Sequence, residues 1–228
     1  MSARREDSEQ ARRSTYVEHE VVYAEVGASA DPDLQRFPPE NSTPYFEEVQ
    51  LGSGADRFVT ASNLLMTWGA QRGAGIRIVD IVPGDGGQYE GVSFDEHGTP
   101  QPTPVIREDR FSADGEPFLT AGTTLRAEWD DPKRSARQLR VVYIIDEPRR
   151  IGFAWGTTDE EGATGEEVFV VEHREDDTVW ASVTGFMRPS ASGMLGMKGR
   201  LEIKRGMSDL HDQLMALAPG GAQADLGR

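Results

Sequence analysis

Five runs of residues in the second half of the chain alternate between apolar and polar side chains, and short turns separate them. The runs cover residues 123–129, 138–145, 150–157, 166–173 and 179–187. Such alternation, rich in β-branched and aromatic residues, is typical of strands that turn one face towards a core. Pro148 occupies the second position of a β-turn and Asp176-Asp177 separate the last two runs, so the strands are predicted to form an antiparallel meander.

A stripe of apolar residues follows the meander and predicts a long C-terminal helix. Its members recur close to helical spacing, with an interruption at Lys204. They are Met194, Met197, Leu201, Met207, Leu210, Leu214 and Leu217. Because the apolar faces of a sheet and a helix must cover one another, the sequence predicts an α+β fold. In that fold a curved antiparallel sheet wraps around the C-terminal helix.

The first half of the chain predicts three further elements. Residues 16–26 are interpreted as a first strand, residues 53–73 as a helix capped by Ser53, and residues 76–82 as a second strand. Residues 84–122 are rich in glycine, proline and acidic residues and predict an acidic insertion. The predicted organisation is therefore a tail at 1–14, one domain at 15–217 and a flexible tail at 218–228.

Composition excludes several kinds of chemistry. The chain has no cysteine and only four histidines, which never occur at metal-ligand spacing, so neither a disulfide framework nor a metal site or other cofactor is predicted. A formal net charge of −15 argues against binding nucleic acid or an anionic membrane surface. No segment has the apolar length of a signal peptide or a membrane span, so a cytoplasmic protein without membrane insertion is predicted.

Several short segments of the chain resemble one known family. They include Tyr23-Ala24-Glu25-Val26-Gly27-Ala28, Leu51-Gly52-Ser53-Gly54, Arg140-Val141-Val142-Tyr143, Gly152-Phe153-Ala154-Trp155-Gly156-Thr157, Gly165-Glu166-Glu167, Val179-Trp180 and Phe186-Met187-Arg188-Pro189. These segments are similar to the family called domain of unknown function nineteen-ninety, itself similar to START-like, or SRPBCC, helix-grip proteins. The resemblance implies a helix-grip fold that holds an apolar ligand between sheet and helix, and it implies no catalytic residue.

The predicted turns also fix which side chains share a face of the sheet. A two-residue turn at Pro148 and Arg149 pairs Val142 with Trp155, and one at Asp176 and Asp177 pairs Val170 with Val183. Placing Thr157 opposite Glu166 joins the two hairpins. The apolar face then comprises Val142, Ile144, Ile151, Phe153, Trp155, Val168, Val170, Ala181 and Val183, and it is expected to meet Leu201, Met207, Leu210 and Leu214.

This register places Arg140 and Glu166 in one cross-strand row on the apolar face, on either side of Thr157. Two strand spacings separate their backbones by about 9–10 Å, which a guanidinium and a carboxylate can bridge. The row is interpreted either as a structural ion pair or as a polar anchor at the mouth of a pocket. The predicted ligand-binding residues are therefore Arg140, Val142, Phe153, Trp155, Glu166, Val170, Ala181 and Val183.

Three functional hypotheses follow from this pattern. The first is a binding module that encloses a small apolar or lipid-like molecule between sheet and helix. The second is an enzyme of the same fold, such as a cyclase, dehydratase or hydrolase, that uses pocket carboxylates as acid and base. The third is a protein-interaction domain whose acidic insertion recognises a basic partner. The sequence does not decide whether the interior between sheet and helix is filled or contains an open pocket. It also does not decide between a monomer and a homo-oligomer.

Overall fold

The structure is a computed structural model that describes residues 21–84, 93–94, 100–101, 111–112, 115–194 and 196–220. Within these residues the helices are α1 (Ala55–Met66), α2 (Gly69–Gly73) and α3 (Met197–Met215). The strands are β1 (Thr43–Ser53), β2 (Ile76–Val82), β3 (Ser93–Phe94), β4 (Pro100–Gln101), β5 (Thr124–Trp129), β6 (Arg137–Glu147), β7 (Arg150–Thr157), β8 (Ala163–His173) and β9 (Thr178–Pro189). The predicted tail at 1–14, the chain beyond residue 220 and most of the predicted insertion lie outside the described residues.

Seven strands form one antiparallel sheet, in the order β1-β9-β8-β7-β6-β5-β2. The five predicted strands are the consecutive meander β5–β9, as the alternating pattern indicated. β1 and β2 extend the meander at its two edges, so the first strand in the chain pairs with the last. β3 and β4 form a separate two-stranded ribbon. The end of the predicted insertion is buried at Leu119 and Ala121, and Leu119 belongs to the apolar core of the sheet and helices.

The sheet has an inner face, covered by α1, α2 and α3, and an outer face. Leu65 of α1, Ile203, Leu210 and Leu214 of α3 and the inner strand residues form one apolar core. Residues 21–42, which we call the N-terminal strap, cross the outer face and bury Tyr23 and Leu34 there. This arrangement confirms the predicted α+β fold with the sheet against the C-terminal helix.

The predicted apolar stripe of α3 needs one correction. Leu210 and Leu214 face the sheet as expected, but Leu201 and Met207 are exposed. The buried positions of α3 include Gly199, Ile203 and Gln213, which follow the 3.6-residue period more closely than the predicted stripe does. Leu201 and Ile203 lie on opposite sides of the helix. Before the interruption at Lys204, the predicted stripe therefore followed the exposed side.

The N-terminal prediction was wrong in two places. Residues 21–26 are not a strand, and residues 16–20 lie outside the described part of the chain. The first strand among the described residues is instead β1, in a proline-containing stretch for which no strand was predicted. Pro44 is accommodated because β1 is an edge strand that pairs with β9 alone. Ser53 ends β1 and caps no helix, since the residue before α1 is Gly54.

The β6–β7 hairpin has the predicted register near its turn and loses it further along. Glu147 pairs with Arg150 and Ile144 with Phe153, as expected. A bulge between Val141 and Tyr143 then shifts the pairing by one residue, so Trp155 lies opposite Val141. Val142 therefore packs on the outer face, contrary to the prediction, because a bulge places two residues opposite one.

The pairing of β8 with β7 and its pairing with β9 each differ by one residue from the predicted register. Phe153 pairs with Phe169, and Phe169 pairs with Val183. The β8–β9 turn contains three residues, Glu175 to Asp177, the last of them with a φ of 67°, which changes the parity. Val168 and Val170 consequently lie on the outer face. The one-residue shift between β7 and β8 and the one between β8 and β9 cancel, so Ala181 and Val183 lie on the inner face as predicted.

Candidate functional site

A cavity lies between the inner face of the sheet and α3, close to the β5–β6 loop at residues 130–136. Its volume is about 30 Å³, and its walls come from β2, β5, β6, β7, β8, that loop and α3. Gly206 contributes the helix side of the cavity, and a Cβ atom built at Gly206 has no atom within 4 Å. The glycine in the middle of α3 thus leaves room that any other residue would reduce.

A buried carboxylate forms the floor of this cavity. The Trp155 indole donates a hydrogen bond from Nε1 to Glu167 Oε2 at 2.6 Å, and the Tyr45 hydroxyl donates one to Oε1 at 2.5 Å. Burial first, and then the charge of Glu167, raises the pKa of Tyr45, which therefore keeps its proton. Both oxygens of Glu167 accept from neutral donors, so this carboxylate holds Trp155 and Tyr45 in place.

A glycine on the neighbouring strand makes room for the Tyr45 ring beside Glu167. Gly185 of β9 lies opposite Glu167 in the sheet. A Cβ atom at Gly185 would lie 2.8 Å from the Tyr45 ring, which is closer than real contacts allow. Gly185 therefore admits the Tyr45 ring to a position from which its hydroxyl reaches Glu167.

Three residues of the cavity wall each have a buried side-chain atom without a hydrogen-bond partner among the described residues. These atoms are Oε1 of Gln213, Oε1 of Glu202 and the indole nitrogen, Nε1, of Trp129. Gln213 is 5% exposed and lies on the buried side of α3. An unpaired buried polar group costs about 1–3 kcal/mol, so these residues would gain from a small polar group that reached their acceptor and donor atoms.

The loop at residues 130–136 contributes Arg134 and Ser135 to the cavity wall and is attached to α3. The Arg134 guanidinium forms an ion pair with Asp209 and lies 4.2 Å from the centre of the Trp129 ring. The Arg205 Nη1 atom donates to the Lys133 carbonyl oxygen at 2.7 Å. The Arg134–Asp209 pair is partly buried and the Arg205 contact is exposed, so side chains of both kinds attach the loop to α3.

Aromatic side chains fill the interior beside the cavity. The Trp68 ring packs against Trp155 with ring centres 6.0 Å apart and against Phe153 at 5.4 Å. Phe169 packs against both Phe153 and Trp155. Among the described residues, the space between sheet and helices is therefore mostly filled core, with a small cavity next to Gly206.

A second buried carboxylate lies on the outer face, under the N-terminal strap. Glu166 is fully buried and accepts four hydrogen bonds from the strap. The donors are the Tyr23 hydroxyl at 2.8 Å, the Gly27 amide at 3.0 Å, the Ser29 amide at 3.1 Å and the Ser29 hydroxyl at 2.5 Å. Burial, followed by the charge of Glu166, raises the pKa of Tyr23. This cluster attaches the strap to the sheet and lines no part of the cavity.

The structure divides the predicted site residues between the two faces. Phe153, Trp155, Ala181 and Val183 lie on the inner face, and of these Trp155 lines the cavity. Arg140, Val142, Glu166 and Val170 lie on the outer face, because of the bulge in β6 and the shifted register of β8. Arg140 and Glu166 do share one cross-strand row, but Gly156 separates them in place of Thr157, and Glu166 bonds to the strap.

Sequence reasoning missed most of the cavity. Trp129, Arg134, Glu167 and Gln213 line it, and none was predicted as a site residue. Two signals were available in the sequence. Glu167 interrupts a buried strand, and Gln213 occupies an apolar position of α3. Both are polar residues in places where burial is costly unless a partner is present.

No group of three or more histidine, aspartate or glutamate side chains in the described residues is arranged to hold a metal ion. Within that same part of the chain, the structure contains no helix with the length and apolar character needed to cross a membrane.

Comparisons with known proteins relate the chain to an uncharacterised family. A UPF0548 protein from Deinococcus radiodurans is 43% identical over 49 residues, which cover 22% of this chain and 25% of that protein. A hypothetical protein from Helicobacter pylori has a solved structure with a TM-score of 0.48 and 12% identity, covering 81% of this chain and 93% of its own. The solved structure of Ara h 8.0201 gives a TM-score of 0.42 and 12% identity, covering 76% of this chain and 95% of its own.

The family assignment rests on the largest of these matches. Residues 22–88 and 109–200 match a family described as Domain of unknown function (DUF1990). The match includes the strap, the whole of β1 and the meander, and it extends into the start of α3. It spans more than half of the chain, so the protein belongs to the DUF1990 family.

Proposed function

We propose that the protein is a binding module that takes a small molecule into the cavity between the sheet and α3. The observation that carries this proposal is the combination of Gly206, which leaves space inside a helix, with unpaired polar atoms in the same wall. Glycine within a helix costs about 1 kcal/mol relative to alanine. A protein that needed only a filled core would gain stability from a larger residue at this position.

The size of the cavity indicates how binding would occur. Ligand pockets usually measure about 300–1,000 Å³, whereas this cavity of about 30 Å³ accommodates a group of one or two heavy atoms. A larger ligand therefore needs the wall to move. The loop at residues 130–136 is attached to α3 through side chains, in the contacts of Arg134 with Asp209 and of Arg205 with Lys133. Lifting the loop breaks these contacts, so ligand binding must supply the free energy that they contribute.

A fluorescence titration tests the proposal. Trp129 and Trp155 line the cavity, so their emission reports occupancy, and the neutral dye prodan serves as the probe. Gly206→Leu extends a side chain into the cavity and is expected to weaken prodan binding by about tenfold or more. Gly206→Ala, whose Cβ atom meets nothing, is expected to fold with up to about 1 kcal/mol of added stability and to weaken binding less.

Ser208→Leu is the matched control, because it adds the same side chain to an exposed position of α3. Its affinity for prodan is expected to equal that of the unsubstituted protein. Prodan binding that is unchanged in a folded Gly206→Leu variant would show that the ligand binds elsewhere. Absence of any prodan binding to the unsubstituted protein would contradict the proposal itself.

A further inference from the structure

The charged groups around the cavity are unequal in sign. Three carboxylates line it, Glu167, Glu202 and Asp209, against two guanidinium groups, Arg134 and Arg137. The lining therefore carries one net negative charge, within a chain of net charge −15. Charges of the same sign on a ligand are disfavoured in such a place, because the partly buried surroundings screen them weakly.

The pairing of these groups strengthens the imbalance. Arg134 is already paired with Asp209. Glu167 accepts hydrogen bonds from Tyr45 and Trp155, which are neutral. Glu202 has an ion-pair contact only at 3.9 Å, with the exposed Lys198. Two carboxylates of the lining thus lack a close cationic partner among the contacts of the described residues.

Arg137 is the one group that would favour an anionic ligand. Its Nη2 atom lies 3.4 Å from both the Ala163 carbonyl oxygen and the Met187 sulfur, so it points along the strands β8 and β9. Its charge also acts on the Tyr45 hydroxyl beside Glu167. The guanidinium therefore lies on the side of the cavity near Tyr45, whose hydroxyl bonds to Glu167, so an anion that approaches Arg137 also meets the charge of Glu167.

The unpaired polar atoms specify the hydrogen bonds that a ligand must make. Gln213 and Glu202 each offer an acceptor and Trp129 offers a donor. A hydroxyl group both donates and accepts, so it can pair with either kind of atom. An ammonium group donates to Gln213 or Glu202 and gains from the negative lining. A carboxylate only accepts, which leaves both acceptor oxygens unpaired and adds a like charge.

From these groups we infer that the cavity receives the hydroxyl or ammonium head of a small amphiphile and rejects a carboxylate head. The first carbon atoms of its tail would contact Ile76, Leu139 and Trp155, the apolar part of the same wall. This inference rests on the proposed function, since it names the ligand class of the same cavity. The sequence led us to expect a small apolar or lipid-like ligand. The ligand inferred here is an amphiphile whose polar end is buried in the cavity.

A matched series of ligands tests it. 1-Octanol, octylamine and octanoate have the same tail and at pH 7 carry a charge of zero, plus one and minus one. Competition against prodan, checked by calorimetry, is expected to show binding of octanol and octylamine. Octanoate is expected to bind at least about tenfold more weakly than octanol.

Substitutions connect the selectivity to the named atoms. Gln213→Met keeps the length of the side chain but removes the acceptor, and Trp129→Phe removes the donor. Each is expected to weaken octanol binding about fivefold to tenfold, a loss typical of one hydrogen bond. Gln50→Met, the same change at an exposed position of β1, is expected to leave octanol binding unchanged. Circular dichroism would establish that each variant is folded.

The outcomes separate this inference from the function on which it rests. If prodan binds and octanoate competes as well as octanol, or better, the head-group inference is wrong, Arg137 is the anchor, and the binding function stands. If prodan binds and no octyl compound competes, the inference is also wrong. If neither prodan nor any octyl compound binds, the proposed function fails and the inference fails with it.

Discussion

Two consecutive residues of β8 place a buried carboxylate on each face of the sheet. Glu166 points outwards to the strap and Glu167 inwards to the cavity, because neighbouring residues in a strand face opposite sides. Each accepts hydrogen bonds from neutral donors only, among them Tyr23 and Tyr45. A buried carboxylate is costly without such donors, so the two residues tie separate parts of the chain to one strand.

Replacement of Glu166 by glutamine tests the first of these attachments. The amide has one acceptor in place of two and directs an NH₂ group at donors from the strap. We expect Glu166→Gln to lower the free energy of unfolding by about 2–4 kcal/mol, measured by urea denaturation. Glu160→Gln, at an exposed position, is the control and is expected to change it by less than about 0.5 kcal/mol. An equally small effect of Glu166→Gln would show that the four hydrogen bonds contribute nothing net.

The strap is the element that distinguishes the two faces of the sheet. It covers the outer face without regular pairing, through the Tyr23 ring, the Glu166 cluster and an ion pair in which Arg188 donates to both oxygens of Glu25. Tyr23 also meets Phe186 edge to face, with ring centres 5.9 Å apart. Gly156 lies directly beneath the Tyr23 ring, and its lack of a side chain admits the tyrosine.

Substitution of Gly156 tests whether the strap depends on that close approach. A Cβ atom at Gly156 would lie 1.9 Å from the Tyr23 hydroxyl oxygen, so Gly156→Ala must displace the ring. We expect Gly156→Ala to destabilise the protein by about 1–3 kcal/mol in urea denaturation. In a Tyr23→Ala background the same change should cost less than about 0.5 kcal/mol, because the clash is gone. Equal costs in both backgrounds would mean that Tyr23 does not pack on Gly156.

At the scale of the whole molecule, the buried tyrosines predict how stability depends on pH. Burial and neighbouring carboxylates raise the pKa values of Tyr23 and Tyr45 above the usual value near 10. The folded state therefore keeps these protons at a pH where the unfolded state loses them, so stability falls as pH rises above about 10. Urea denaturation between pH 8 and pH 11 should show this fall. Tyr23→Phe and Tyr45→Phe should each make it shallower, and an unchanged slope in both variants would contradict the assignment.

The sequence predicted the architecture of the molecule better than the details of its site. Alternation in the meander and the apolar stripe of α3 identified the sheet layer and the helix layer, because both patterns repeat over many residues. The site depended on register, which single residues decide: the bulge at Val142 and the third turn residue at Asp177 each moved side chains to the other face. The loop that carries Arg134 has no periodicity, so its approach to α3 could not be read from the sequence.

The pairing of the first strand with the last has a consequence for synthesis on the ribosome. β1 and the strap are made early, but their partners lie in β8 and β9, with 143 residues between Tyr23 and Glu166 and 163 between Glu25 and Arg188. At about 5–20 residues per second, the strap emerges roughly 7–30 s before those partners exist. During that interval the edge residues of β1 and the buried residues of the strap are available to chaperones and to other nascent chains. The sheet therefore cannot close before β8 and β9 are synthesised, and its folding is expected to be slow, as for other topologies dominated by distant contacts.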